Sequence, residues 1–184
     1  MAYYHCSPVA GLEVLRVGKP KHFGKPAAVY MTTLLPMALM YSVVNYEYTY
    51  GYTKEGQIHL DEYFPNALEL LYRGKKASLY LCDPDAVETT RIPNEAVSYA
   101  DVPVIGETVI PDALEALLEQ ERLGALVIRR YHELPEKMLE WICNAEVGVI
   151  REDNLVNTPG PKADYYKEHY PQSWEIVVQG QKDE

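Results

Sequence analysis

Residues 23–41, FGKPAAVYMTTLLPMALMY, run from a glycine-lysine-proline lead-in through a short apolar strand-like segment into a stretch spaced for a helix. KPAAVYMTT, 25–33, reads as a short buried strand, because β-branched and aromatic residues cluster between turn formers. Leu35, Met37, Ala38, Met40 and Tyr41 then suit a helix with Pro36 in its first turn, where a missing N–H is tolerated. The segment is a strand–turn–helix unit. On its N-terminal side, Tyr3, Tyr4 and Val9 have strand character while Ser7-Pro8 and Gly11 are turn chemistry. His5 therefore sits near the end of a short strand.

On the C-terminal side, residues 46–60 alternate around TKEG, 53–56, as a hairpin. FPNALELLYRGKK, 64–76, starts with Pro65 and closes near Gly74, predicting a helix of about two turns. ASLYLCD follows as an apolar strand. From 86 to 110 the chain breaks into four short β segments, VETTRI, EAVSY, VPVI and ETVI, punctuated by Pro93, Pro103 and Gly106. Residues 111–124 form the clearest helix, with Pro111 in the first turn, Leu114, Leu117 and Leu118 at helical spacing, and Gly124 as stop. ALVIRRY reads as a strand and PEKMLEWICNAEVGVI as a helix. The tail after NTPGP reads as a polar, tyrosine-bearing helix that frays. Strands and helices without regular βαβ alternation predict an α+β fold.

The 184 residues suffice for a single domain with a sizeable core, and 47% apolar with 24% charged content is globular composition. No segment approaches the roughly 20 apolar residues of a membrane span, which predicts a soluble chain without membrane partners. No basic region followed by an apolar stretch marks a secretory signal. Cys6, Cys82 and Cys143 have neither metal-type nor disulfide-type spacing, which points to a reducing cytoplasm and no metal site. A net charge of −10 argues against a broad electrostatic footprint on nucleic acid. RVGKPKHFGK, 16–25, is the local exception, a basic loop with no acid in it. Sixteen tyrosines against two phenylalanines suit polar aromatic ligands and half-buried strands equally well.

Three segments stand in an informative order: Tyr4-His5-Cys6-Ser7 at the end of a first strand, Phe23-Gly24-Lys25 leading to Val29-Tyr30, and Asn94-Glu95-Ala96-Val97 opening a late strand. Together they resemble the motifs of the diphtheria-toxin-type ADP-ribosyltransferases, the class that includes the poly(ADP-ribose) polymerases, over about residues 3–105. The resemblance implies a split β-sheet with flanking helices over 1–110 and a mostly helical C-terminal extension over 111–184. It implies a catalytic triad of His5, Tyr30 and Glu95, and a site for NAD, the substrate, built from His5, Cys6, Ser7, Tyr30 and Tyr41. Cys6 replaces the family's usual glycine. Ala38 stands where polymerase-like members carry a serine, and Tyr41, eleven positions after Tyr30, matches their second stacking tyrosine.

The implied activity is NAD-dependent mono-ADP-ribosyl transfer to a protein or nucleic-acid acceptor. An RNA 2′-phosphotransferase shares the His-first scaffold, and an inactive NAD-binding or interaction module on the same fold is the third reading. The residue types are competent for transfer. A carboxylate stabilises the cationic ribose that forms as nicotinamide departs, an imidazole positions a ribose hydroxyl, and two tyrosine faces sandwich a flat ring. By residue type alone, His5 reads equally as a core histidine, Tyr30 as a half-buried strand residue, Tyr41 as part of an apolar helix face and Glu95 as a solvated turn acid.

Overall fold

A computed structural model describes residues 2–18, 26–44 and 47–180. Among them the strands are β1 (Tyr3–Ser7), β2 (Val14–Leu15), β3 (Val29–Thr32), β4 (Tyr48–Tyr52), β5 (Ile58–Glu62), β6 (Ala77–Cys82), β7 (Glu88–Thr89), β8 (Glu95–Ser98), β9 (Val102–Ile110) and β10 (Leu126–Arg129). The helices are α1 (Leu35–Met40), α2 (Ala67–Tyr72), α3 (Ala113–Arg122), α4 (Glu136–Glu152), α5 (Pro161–His169) and α6 (Pro171–Gly180). The protein is α+β. Its larger sheet has the order β2-β9-β6-β1-β3-β8-β7, each strand antiparallel to its neighbour, and a smaller one has the order β10-β5-β4.

Where a single domain divided near residue 110 is expected, the chain separates into two compact units. One comprises the described residues of Met1–Tyr46, Tyr50–His59 and Leu68–Val127, the other those of Glu47–Thr49, Leu60–Ala67 and Ile128–Glu184. The boundary lies beyond α3 because α3 is tied into the first unit. Asp112, rather than Pro111, opens this helix. Its Oδ1 accepts the N–H groups of Leu114 at 2.9 Å and Glu115 at 3.3 Å, and its Oδ2 accepts that of Gly74 at 2.9 Å. Ala113 N–H donates to the Lys75 carbonyl at 2.8 Å, and α3 packs on α1.

The seven-stranded sheet belongs to the first unit. One of its faces buries Leu15, Val29, Met31, Tyr80, Cys82 and Val102. The other carries α1, where Met37, Ala38, Leu39 and Met40 are buried and Thr32 Oγ1 reaches Met37 Sδ at 3.2 Å. The helix covers the expected residues up to Met40, with Tyr41 as its C-cap, and the Met40 carbonyl accepts the hydroxyl of fully buried Tyr72 at 2.7 Å. The segments VPVI and ETVI join in the single strand β9, which follows β6 from Cys82 to Ala77 with one irregularity at Leu81/Cys82. The hairpin turn at 53–56 closes with Gly56 at φ 82°, and Thr53 N–H donates to the Gln57 carbonyl at 2.8 Å.

In the second unit the described part of the tail, up to Gly180, is helical. Pro171 divides it into α5 and α6, and with α4 they enclose Phe64, Ala67, Ile142, Val147, Ile150, Tyr166, Tyr170 and Val177. The tyrosines that make the tail look polar supply its apolar face. Phe64 stacks on His169 at a centroid distance of 4.4 Å and meets Tyr170 edge-on at 5.5 Å. Asp61, almost wholly buried, is paired by Arg129 through Nη2 at 2.6 Å.

This unit also encloses two carboxylates. Glu47 accepts the Tyr170 hydroxyl at 2.8 Å, and Glu146 is 5% exposed. Burial first, and the Glu47 carboxylate second, push Glu146 from 4.5 up to about 7; burial likewise raises Glu47. Between those pH values the folded protein holds a proton on Glu146 that the unfolded chain has released. Its stabilising effect is complete below pH 4.5 and is lost as pH rises through about 7. Thermal melts should give a lower Tm at pH 8 than at pH 5, and Glu146→Gln, which keeps the size and removes the titration, should shrink the difference.

Candidate functional site

β1 is paired with β6 along its whole length, from Tyr3↔Cys82 to Ser7↔Ser78, yet it meets β3 only at Tyr4↔Thr32. β3 is in turn paired with β8 from Val29↔Ser98 to Thr32↔Glu95. On the β3 side of β1 the ladder therefore stops at Tyr4, and His5 is the first residue beyond it. Its Nδ1 lies 3.0 Å from the Tyr30 carbonyl oxygen. Because a carbonyl only accepts, Nδ1 carries the proton and Nε2 of the neutral ring is left as an acceptor. Burial lowers the imidazole below its ordinary 6.5, opposed by the bond to Tyr30, so the ring is predominantly neutral at pH 7.

Directly opposed residues of antiparallel strands share a face, and successive residues alternate. Tyr4, Thr32 and Glu95 lie on one face by this rule, together with Tyr30, two residues before Thr32. It is the face that carries α1. His5 alternates to the other, opposite Tyr80. The fold thus brings Tyr30 and Glu95 together on adjacent strands, and it joins His5 to them through the Tyr30 carbonyl, with β1 and β8 about 10 Å apart across β3. The Tyr30 hydroxyl donates to the Pro26 carbonyl at 2.9 Å. Burial, then the charge of Glu95, then Tyr99 raise its pKa.

Glu95 is 6% exposed, unlike a solvated turn acid. The turn before it is built by Asn94 in the left-handed region at φ 64°, a conformation that asparagine tolerates. The Asn94 carbonyl accepts Thr33 N–H at 3.0 Å, and its Nδ2 donates to the Tyr52 hydroxyl at 3.3 Å, which itself donates to the Pro93 carbonyl at 2.7 Å. Thr33 and Tyr52 thus fix where the Glu95 strand begins. Pro93-Asn94 signals the turn in the sequence, but no local pattern announces Tyr52.

Cys6 is buried, and burial pushes its thiol up to about 12 against a backbone bond at Ser7, so it stays protonated and unreactive. The Ser7 hydroxyl accepts Val9 N–H at 3.2 Å, closing the turn after β1. Tyr41 caps the C-terminal end of α1, its N–H donating to the Ala38 carbonyl at 3.0 Å, and Ala38 is buried. Of the cations that a phosphate site would need, Arg16 is paired with Asp101 at 2.6 Å and Arg73 with Glu69. Lys19, Lys21, Lys25 and the Phe23-Gly24 lead-in lie outside the described residues. Among the described residues no three His, Cys, Asp or Glu side chains could hold a metal ion together, and no helix is long and apolar enough to cross a membrane. No protein-family model matches the chain, and comparison with curated proteins gives no match.

The His5–Tyr30 bond can be tested directly. Nitrogen-15 NMR should find the His5 proton on Nδ1 at neutral pH, with a titration midpoint below 6.5. His5→Ala removes this hydrogen bond and should lower unfolding stability by about 0.5–1.5 kcal/mol in denaturant titration.

Proposed function

We propose that the protein is an NAD-dependent mono-ADP-ribosyltransferase-like enzyme on a split-sheet fold, acting in a reducing cytoplasm on a protein or nucleic-acid acceptor. The observation that carries this reading is the interrupted pairing of β1 and β3, with the His5 imidazole at the interruption and Tyr30 and Glu95 side by side on the next two strands. Tyr30 and Glu95 share one face of the sheet, and His5, on the opposite face, meets Tyr30 through its carbonyl. Two buried thiols, Cys6 and Cys82, and a third, Cys143, all unpaired, support the reducing setting.

In the reaction the bond between nicotinamide and ribose breaks and its electron pair leaves with nicotinamide. The acceptor nucleophile bonds to the ribose carbon, and its proton passes to a base. The Glu95 carboxylate stabilises the positive charge that develops on the ribose and is placed to take that proton. The Nδ1–H tautomer of His5 leaves Nε2 free to accept a hydrogen bond from a ribose hydroxyl. Tyr30 and Tyr41 offer ring faces to nicotinamide, Tyr41 from the end of the helix that covers the Tyr30–Glu95 face. The phosphotransferase reading has less support, because Arg16 and Arg73 are engaged by acids and the cleft lined by Lys75 and Lys76 includes none of His5, Tyr30 and Glu95. The binding-module reading draws on Cys6 and Ala38, which replace a glycine and a serine.

Calorimetry with NAD and an assay of nicotinamide release discriminate among these. Tyr41→Ala should weaken NAD binding about tenfold, on the scale of roughly 1–3 kcal/mol for a lost base–aromatic stack. Glu95→Gln should bind NAD nearly as well as wild type while releasing nicotinamide about a hundredfold more slowly. Wild-type NAD binding with nicotinamide release at the uncatalysed rate would select the binding module; no NAD binding would overturn the proposal.

A further inference from the structure

We propose that the cleft of about 340 Å³ lined by Pro8, Ser42, Val43, Val44, Leu70, Leu71, Lys75 and Lys76 is a binding site for a small organic anion, a carboxylate or phosphate monoester with an apolar body. All its residues belong to the first unit, and it includes none of His5, Tyr30 and Glu95. The volume is that of a small-molecule pocket. Two features define the ligand.

Five of the lining residues are apolar, and Val44 and Leu70, each 52% exposed, offer surface that a ligand's hydrocarbon part would cover. Lys75 and Lys76 stand at the same cleft, and among the described residues neither is ion-paired. The neighbouring acids are already engaged: Glu69 pairs with Arg73, and Asp112 accepts three backbone N–H groups. On a chain of net charge −10 this leaves a local pair of uncompensated cations. Their backbone is held rigidly, with Lys75 N–H on the Tyr72 carbonyl at 3.1 Å and the Lys75 carbonyl accepting Ala113 N–H at 2.8 Å.

Ammonium groups recognise an anionic oxygen, and the aliphatic side chains beside them favour an anion that carries an apolar group over a bare inorganic ion.

Titration calorimetry of the full chain with 1-naphthyl phosphate and 1-naphthoate tests the site, with inorganic phosphate and 1-naphthol as the separated halves. At least one organic anion should bind saturably below about 10 mM, and each half should bind about tenfold more weakly or worse. The better of the two anions identifies the headgroup. Lys75→Ala/Lys76→Ala should weaken binding about tenfold or more, and Lys75→Arg/Lys76→Arg should retain it. The proposal fails if neither organic anion binds, if inorganic phosphate binds as tightly as the naphthyl ester, or if the double alanine variant, folded by circular dichroism, binds like wild type.

Discussion

The pairing of β1 with β3 at the single position Tyr4↔Thr32 is the constraint on which the first unit's chemistry depends. Beyond the point where the ladder stops, the His5 side chain donates to the Tyr30 carbonyl. One hydrogen bond thus satisfies a half-buried backbone group, fixes the imidazole tautomer and holds the ring at the interruption. The neutral ring follows from the same arrangement, since the burial that places His5 against Tyr30 also disfavours its charged form. A histidine does both tasks here because its ring reaches sideways to a neighbouring strand and offers a donor at one nitrogen and an acceptor at the other.

Glu95 shows a different form of positioning. Its strand begins at a left-handed asparagine, and Thr33 and Tyr52 hold that turn from two other elements. The acid is therefore placed by bonds made to its neighbours, on the same face as Tyr30 and against the helix-bearing side of the sheet. Burying a carboxylate in such a layer is unfavourable unless its surroundings compensate. A solvent-exposed turn would have accommodated an acid with no supporting contacts. The contrast between Glu95 and acids such as Asp112, whose oxygens are taken up in capping a helix, separates the two kinds of carboxylate in this unit.

Strand-scale patterns in the sequence were informative where local chemistry decides the outcome. Val29–Thr32 and Ala77–Cys82 are apolar runs between turn formers, and both form strands. The failures come from tertiary context. Pro103 and Gly106 look like breaks, but β9 runs through both because β2 pairs with Val102 and Pro103 and β6 with the residues from Val104 to Ile110. Tyr166 and Tyr170 read as polar, and their rings form the second unit's interior once Phe64 is beside them. Of the candidate site, His5, Tyr30 and Glu95 were legible as motifs. The face each one occupies was not, because alternation becomes informative only when the register is known.

The two departures from the family's motifs gain a physical meaning in this register. Cys6 lies on the face shared by Tyr4, Thr32 and Tyr30, where α1 is packed, and Ala38 is a buried residue of α1 itself. Exchanging glycine for a protonated thiol and serine for a methyl group makes both positions more apolar within one helix–sheet layer. In the transferase reading, the family's glycine and serine grip the nicotinamide amide, a contact present before the bond breaks. The Glu95 carboxylate acts on charge that appears only as the bond breaks. Losing interactions of the first kind weakens substrate binding, whereas losing one of the second lowers turnover. In that reading the departures would fall on substrate affinity, while Glu95, which would act as the bond breaks, is a residue whose strand start Thr33 and Tyr52 hold through Asn94.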